Sequence, residues 1–363
     1  MKIMTVVGAR PQFIKAAAVS RVLRKENTEI LVHTGQHYDE NMSNIFFEEL
    51  DIPKPDFNLG VGSASHGKQT GEMLIKIEEL LLSEKPDAML VYGDTNSTLA
   101  GALAASKLHV PVAHVEAGLR SYNKLMPEEQ NRVLTDHISS MLFCPTVAAV
   151  NNLKNEGIED NVYNVGDVMC DALYFYKAAA EKRHYNFSEL KYIYDKPESS
   201  LENGYYLATI HRAENTDGPE KVKNILSALE NLDFPVIFPV HPRTRTIINT
   251  IIEQSKYKNI HFVEPVGYLY MIFLEYNAKK IITDSGGLQK EAYLLKVPCV
   301  TVREQTEWVE TLMGSWNVLA HAETEDIINK AANTKPDPLM WKDYYGGGNA
   351  AEKICGTLAS ILK

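Results

Sequence analysis

Lys280-Ile281-Ile282-Thr283-Asp284-Ser285-Gly286-Gly287-Leu288-Gln289-Lys290-Glu291 runs from a short apolar strand through a turn of small residues into a helix. A helix that opens on Ser and Gly leaves backbone N–H groups free, and those groups suit a phosphate. Such turns occur in many proteins, so the weight of this one comes from its surroundings. Before it lie the apolar runs Tyr205–Ile210, Val236–Val240 and His261–Val263, and after it Cys299–Val302. Helical stretches at Pro219–Asn231, Thr244–Gln254 and Gly287–Leu295 alternate with them, with Pro219 at a helix start and Asp217 as its candidate cap. Short apolar runs without polar alternation belong in a parallel sheet buried on both faces.

The same alternation fills the first half. Strands are expected at Lys2–Val7, Glu29–Thr34, Ala88–Tyr92, Val112–Val115, Met141–Cys144 and Val162–Val165, and helices at Phe13–Lys25, Lys68–Leu82 and Ser97–Lys107. The polar stretch Lys182–Asn203 interrupts the pattern. The fold class is therefore α/β, with two Rossmann-like domains in tandem. We expect domains at 1–168 and 169–345, and a last helix, 346–363, that packs back on the first. Two domains also suit the 363-residue length. In doubly wound sheets ligands gather at the carboxyl ends of strands, and a cleft between two such domains is the default site.

A formal net charge of −10 argues against nucleic acid and anionic membranes as partners. No apolar run reaches the ~20 residues of a membrane span. The four cysteines, Cys144, Cys170, Cys299 and Cys355, form no CxxC pair, which fits buried thiols and a cytoplasmic protein. No metal is expected: HExxH is absent, and His33 and His37 straddle a strand end and a loop. No GxSxG elbow supports a hydrolase.

The informative residues follow strands. After the first comes Gly8-Ala9-Arg10-Pro11-Gln12-Phe13-Ile14-Lys15, which is not GxGxxG. It offers Arg10 and Lys15 at a helix start, either to a ligand or to solvent. Tyr92-Gly93-Asp94-Thr95 puts Asp94 at a strand end, as a functional acid or as a helix cap. Glu116, in His114-Val115-Glu116-Ala117-Gly118-Leu119-Arg120, follows an apolar run where a carboxylate needs a partner, and Arg120 is one candidate. Pro127-Glu128-Glu129-Gln130-Asn131-Arg132 starts a helix with acids, which the helix dipole alone explains, and Glu128 can pair with Arg132. In the second half His211, Arg212 and Asn215 follow one strand, and His241 and Arg243 the next. Together these cations offset the acidic balance locally.

Taken together these segments resemble the non-hydrolysing UDP-N-acetylglucosamine 2-epimerases, in order, over nearly the whole chain. The motifs are Gly8-x-Arg10-Pro11-x-x-x-Lys15, Gly93-Asp94-Thr95, His114 to Arg120, Pro127 to Arg132, His211-Arg212-x-Glu214-Asn215, and Asp284-Ser285-Gly286-Gly287-x-Gln289-x-Glu291. The resemblance implies a glycosyltransferase-B-like architecture with the site between the domains, a homodimer and no cofactor. It implies inversion at C2 of a UDP-sugar by anti elimination of UDP to a 2-acetamidoglucal and re-addition. Asp94, Glu116, Glu128 and His211 match the family's catalytic positions. Arg10, Lys15, Arg132, Arg212, Asn215, His241, Ser285, Gly286 and Gly287 match substrate contacts, with Glu291 on the ribose and Tyr268 either beside the uracil or in the core.

Two departures stand out. Thr306-Glu307-Trp308-Val309-Glu310 replaces the Thr-Glu-Arg-Pro-Glu of many members, and the activator-site loops read Gln36-His37-Tyr38-Asp39 and Gly67-Lys68-Gln69. The wording of Thr34 to Asp39 and Arg303 to Trp308 is also similar to a sub-branch acting on UDP-2,3-diacetamido-2,3-dideoxyglucuronate. The same residues leave two other readings: a glycosyltransferase of this fold, and a UDP-sugar sensor without turnover.

Overall fold

The computed structural model describes residues 1–35, 50–252 and 257–362, all but the side chains of Arg10 and Ile252. The chain forms two compact units, Met1–Phe175 with Tyr344–Lys363, and Tyr176–Asp343. The helix Val168–Lys182 runs through the point where the sequence reading divides the domains, and the units part within it.

The first unit is built on a parallel sheet of β1 (Lys2–Val7), β2 (Thr28–His33), β3 (Phe57–Asn58), β4 (Ala88–Tyr92), β5 (Val112–Val115), β6 (Met141–Cys144) and β7 (Val162–Asn164). Its order is β3-β2-β1-β4-β5-β6-β7. Met4 of β1 lies level with Ile30 of β2 and Met89 of β4. Residues of β4, β5 and β6 are buried throughout, because helices cover both faces of the sheet. Each fully buried Leu, Ile or Val side chain stabilises the unit by about 1.5–3 kcal/mol.

The C-terminal helix Ala350–Ile361 belongs to this unit and packs on the helix Arg10–Leu23. Its first turn is fixed by Asp171, whose carboxylate accepts from Ala350 N at 3.1 Å and Ala351 N at 2.8 Å. An acid at a helix N-terminus satisfies orphan donors and the dipole together.

The second unit repeats the plan with β8 (Tyr206–Thr209), β9 (Val236–Pro239), β10 (Ile260–Val263), β11 (Lys280–Thr283), β12 (Cys299–Val302) and β13 (Asn317–Ala320). The order is β10-β9-β8-β11-β12-β13, again all parallel. Both sheets reverse their direction of growth beside the first strand, between β1 and β4 and between β8 and β11. Those reversals are the places where doubly wound sheets bind ligands.

Most strands fall within a residue or two of their expected bounds. The strands β3, two residues long, and β13 carry no expectation. Asp217 does not cap the helix Pro219–Glu230. Gly218 takes that position without a side-chain bond, and Asp217 ends the short helix Ala213–Thr216 instead. No described helix is long and apolar enough to cross a membrane.

Candidate active site

At the reversal in the first unit, Gln12 ties the turn after β1 to the turn after β4. Its Oε1 accepts from Gly8 N at 2.8 Å and Ala9 N at 3.0 Å. Its Nε2 faces Tyr92 O at 2.7 Å, Thr95 Oγ1 at 3.0 Å and Thr98 Oγ1 at 2.9 Å. Gly8 is required here, since a Cβ would overlap the Ser97 and Thr34 hydroxyls, themselves bonded at 2.8 Å. Thr95, rather than Asp94, caps the helix Asn96–Lys107 through Thr98 N. Asp94 is thereby left as a strand-end acid.

Two carboxylates stand at neighbouring strand ends, each with its own cation. Asp94, after β4, bonds Arg132 and keeps 32% of its side chain exposed. Glu116, after β5, bonds Lys15 and is nearly buried. Glu116 also holds a left-handed backbone, φ 69°, uncommon for a residue with a Cβ. Such a conformation persists only where its surroundings impose it. Lys15 is thus Glu116's partner, and the alternative partner Arg120 is engaged elsewhere, in a bidentate pair with Glu156 at 2.6 and 2.8 Å.

The helix Pro127–Ile138 supplies the next layer. Glu128 is exposed and makes no hydrogen bond or ion pair among the described residues, so it does not pair with Arg132. Its buried neighbour Glu129 accepts from Ser121 N at 2.9 Å, Tyr122 N at 2.8 Å and Arg132 Nη1 at 3.1 Å. Asn131 Nδ2 holds the Asp94 carbonyl at 3.0 Å. Within β5, His114 places Nε2 2.7 Å from Gly93 O and Nδ1 2.7 Å from Asp136. Burial pushes the Asp136 carboxyl up, but His114 and Arg120 outweigh it and hold the group below its ordinary range. Sequence reasoning passes over Gln12, Glu129, His114 and Asp136. Helical spacing carries part of the signal, because positions 129, 132 and 136 share one face.

In the second unit the acid turns inward. Asp284 is fully buried, and its carboxylate accepts from His211 N at 3.1 Å, Arg212 N at 2.9 Å and Asn215 Nδ2 at 3.1 Å. Asn215 also donates to Val302 O at 3.0 Å, so its amide hydrogens hold β8, β11 and β12 together. Ser285 caps the helix Gly286–Leu294 through Leu288 N at 3.3 Å. The N–H groups of Gly286 and Gly287 find no acceptor among the described residues. A Cβ on Gly286 would come within 2.5 Å of Glu307 Oε1, whereas one on Gly287 meets nothing nearer than Ser285 Oγ at 3.8 Å.

Cations surround this turn. Glu307 bonds Arg303 at 2.9 Å and lies 3.8 Å from Arg212. His211 and His241 lie ring to ring at 5.3 Å. His241 Nδ1 accepts from Arg243 N at 3.1 Å, which leaves the proton of a neutral ring on Nε2. Burial, with His211 and Arg243, lowers the His241 pKa. Glu291 is buried and takes the Tyr268 hydroxyl at 2.8 Å. Tyr268 itself is buried edge-on against Tyr176. Burial, followed by Glu291 and Glu275, drives its pKa well up. Trp308, in the divergent segment, lies beneath the Lys290 ammonium at 4.1 Å.

Arg10 opens its helix, but its side chain lies outside the described set, as do Gln36, His37, Tyr38 and Asp39. His33 packs on Phe13 at 4.9 Å, and burial lowers its pKa to about 4.

A family model described as UDP-N-acetylglucosamine 2-epimerase matches residues 21–359. A UDP-N-acetylglucosamine 2-epimerase homolog of Methanococcus maripaludis is 55% identical, over 99% of this chain and all of its own. The UDP-2,3-diacetamido-2,3-dideoxy-D-glucuronate 2-epimerase of Pseudomonas aeruginosa is 50% identical, over 99% of this chain and all of its own. The crystal structure of Methanocaldococcus jannaschii UDP-GlcNAc 2-epimerase in complex with UDP-GlcNAc and UDP superposes with a TM-score of 0.86 at 46% identity, covering 99% of this chain and 100% of that one.

Proposed function

Since this chain belongs to the UDP-N-acetylglucosamine 2-epimerase family, we propose that it inverts C2 of a UDP-sugar, interconverting UDP-N-acetylglucosamine and UDP-N-acetylmannosamine. The C2 hydrogen is not acidic, so its loss must accompany breakage of the C1–O bond. A carboxylate takes the C2 proton, the C–H electron pair becomes the C1=C2 bond, and the C1–O pair leaves with UDP. Re-addition of UDP to the glucal, with a proton delivered to the other face, gives the epimer. The sequence is redox-neutral and needs no redox cofactor.

The observation that carries this reading is the pair of cation-held carboxylates, Asp94 with Arg132 and Glu116 with Lys15, at adjacent strand ends. We assign proton transfer to Asp94 and Glu128, the exposed Glu128 needing only a substrate in reach, and stabilisation of the cationic C1 to Glu116. The departing diphosphate falls to Arg10, Lys15, His211, Arg212, His241 and the Ser285-Gly286-Gly287 turn, whose two glycine N–H groups are available. Glu291 takes the ribose hydroxyls. Asn215 and Tyr268 serve through Asp284 and Glu291, to which they are bonded. The reading includes a cytoplasmic homodimer, and four buried free thiols are in keeping with a reducing compartment.

The test is turnover of UDP-N-acetylglucosamine in D₂O. Deuterium should appear at C2 of both epimers, and retention of protium through many turnovers would refute the elimination. A second reading, UDP-2,3-diacetamido-2,3-dideoxyglucuronate as substrate, is favoured by the 50% identity to an epimerase of that name. The C2 chemistry is identical. A panel of both sugars decides between them by the ratio of kcat/KM.

A further inference from the structure

One buried carboxylate reaches the backbone beside both strand-end acids, and none of the proposed roles uses it. Asp136 is 1% exposed and His114 fully buried. Asp136 Oδ1 bonds His114 Nδ1 at 2.7 Å, and the other ring nitrogen bonds Gly93 O at 2.7 Å. Gly93 immediately precedes Asp94. Asp136 Oδ2 accepts from Gly118 N at 3.0 Å and from Arg120 Nη1 at 2.7 Å. His114 and Gly118 lie two residues before and two residues after Glu116. The same carboxylate therefore grips the chain on both sides of the one strand-end acid whose backbone is left-handed.

Gly93 O can only accept, so Nε2 of His114 carries hydrogen, and Nδ1 faces a carboxylate oxygen that accepts as well. Arg120 completes the set and is itself pinned by Glu156. A fully desolvated carboxylate with three partners around it, His114 Nδ1, Gly118 N and Arg120 Nη1, holds its neighbours far more tightly than a surface pair would.

We propose that Asp136 is a positioning residue for the epimerisation, setting Glu116 through Gly118 and His114, and Asp94 through His114 and the Gly93 carbonyl. This inference rests on the epimerase reading for its chemistry. Its structural content, that Asp136 imposes the backbone of Glu116, stands apart from that reading. Asp136→Ala removes both acceptor oxygens, so Gly118 N, His114 Nδ1 and Arg120 Nη1 lose their common partner together.

The experiment joins three measurements on the full-length Asp136→Ala protein and wild type. UDP titration counts sites and gives Kd, turnover gives kcat per UDP site and KM, and a crystal structure gives the Glu116 backbone. We expect UDP Kd and KM within about threefold of wild type and kcat per UDP site down about 100-fold, the size of effect a misplacement of about 1 Å produces. Glu116 should leave positive φ, and its bond to Lys15 should open. A merely structural role would lower the number of UDP sites and leave kcat per site unchanged, which overturns the proposal. Glu116 retained at positive φ with Lys15 attached overturns it as well, whatever the activity. Wild type inactive on both UDP-sugars would count against the epimerase reading, while the backbone result would still decide the role of Asp136. If Asp136→Ala does not fold, His114→Phe fills the ring's space without either ring nitrogen. It should lower kcat per UDP site and displace Asp94, with Glu116 less affected, and an unchanged kcat per site would overturn the proposal.

Discussion

The two units share a strand order yet treat their strand-end acids in opposite ways. After β4 the first unit presents Asp94 with 32% of its side chain exposed, paired to Arg132. After β11, the equivalent strand, the second unit buries Asp284 completely and surrounds it with backbone and amide donors. An exposed acid beside a cation can exchange protons with a ligand. A buried acid satisfied by N–H groups cannot, but it fixes the loop that carries His211 and Arg212. On the proposed assignment, one scaffold supplies chemistry in one unit and an anion-binding frame in the other.

Removing each acid should break the comparison most sharply. Asp94→Asn should lower kcat by about 100- to 10,000-fold, the range for a lost general acid or base. UDP affinity should stay within a few-fold of wild type, because the proposed diphosphate and ribose contacts lie mainly in the second unit. Steady-state kinetics with a parallel UDP titration checks this, and a matching loss of UDP binding would count against the division of labour. Asp284→Ala should do the reverse of a clean catalytic lesion. It orphans three donors, each costing roughly 1–3 kcal/mol when buried. All three tryptophans, Trp308, Trp316 and Trp341, lie in the second unit. Urea unfolding followed by tryptophan fluorescence should therefore show that unit destabilised by about 3 kcal/mol or more, with UDP binding lost alongside.

The third test sharpens the comparison at the phosphate turn. Gly286→Ala brings a Cβ to 2.5 Å from Glu307 Oε1. Overpacking of this kind costs about 1–3 kcal/mol, so UDP Kd should rise about tenfold. Glu307→Ala in the same chain should recover part of the loss. Because Trp308 neighbours the turn, its fluorescence follows the titration. Failure of the second substitution to help would shift the explanation from Glu307 to the turn's own backbone.

The fold was legible because buried parallel strands are short apolar runs with sharp ends, and Lys2–Val7, Ala88–Tyr92 and Lys280–Thr283 have both properties. β3, two residues long, lacked enough residues to show a pattern. The acids at the strand ends were legible for a similar reason, since charge after an apolar run is conspicuous. Their supports were not. Asp136 sits 20 residues beyond Glu116 in sequence, in the last turn of a polar helix, where nothing in the sequence ties it to that strand end. Glu128 stood out over Glu129 by motif, while burial distinguishes Glu129, and burial appears only once the helix has a face. Asn215 read as a ligand contact because a polar strand-end residue looks the same in sequence whether its amide faces a ligand or a buried carboxylate.

The smallest expected effect probes the second unit from behind. Tyr268 is buried, and its hydroxyl donates to Glu291 at 2.8 Å. Tyr268→Phe keeps the ring against Tyr176 and removes only that donor. A single hydrogen bond of this kind is worth about 0.5–1.5 kcal/mol, which corresponds to a two- to tenfold change in affinity. If Glu291 takes the ribose hydroxyls, the loss should appear in Kd for UDP and KM for the UDP-sugar together, with kcat within twofold of wild type. It should be absent for inorganic pyrophosphate, which has no ribose and probes the Ser285-Gly286-Gly287 turn alone. A pyrophosphate affinity that falls with the UDP affinity would place Tyr268 behind the phosphate turn and not behind the nucleoside. A kcat that falls while UDP affinity holds would make Tyr268 a support of the chemistry, and the contrast between a reacting unit and a holding unit would have to be redrawn.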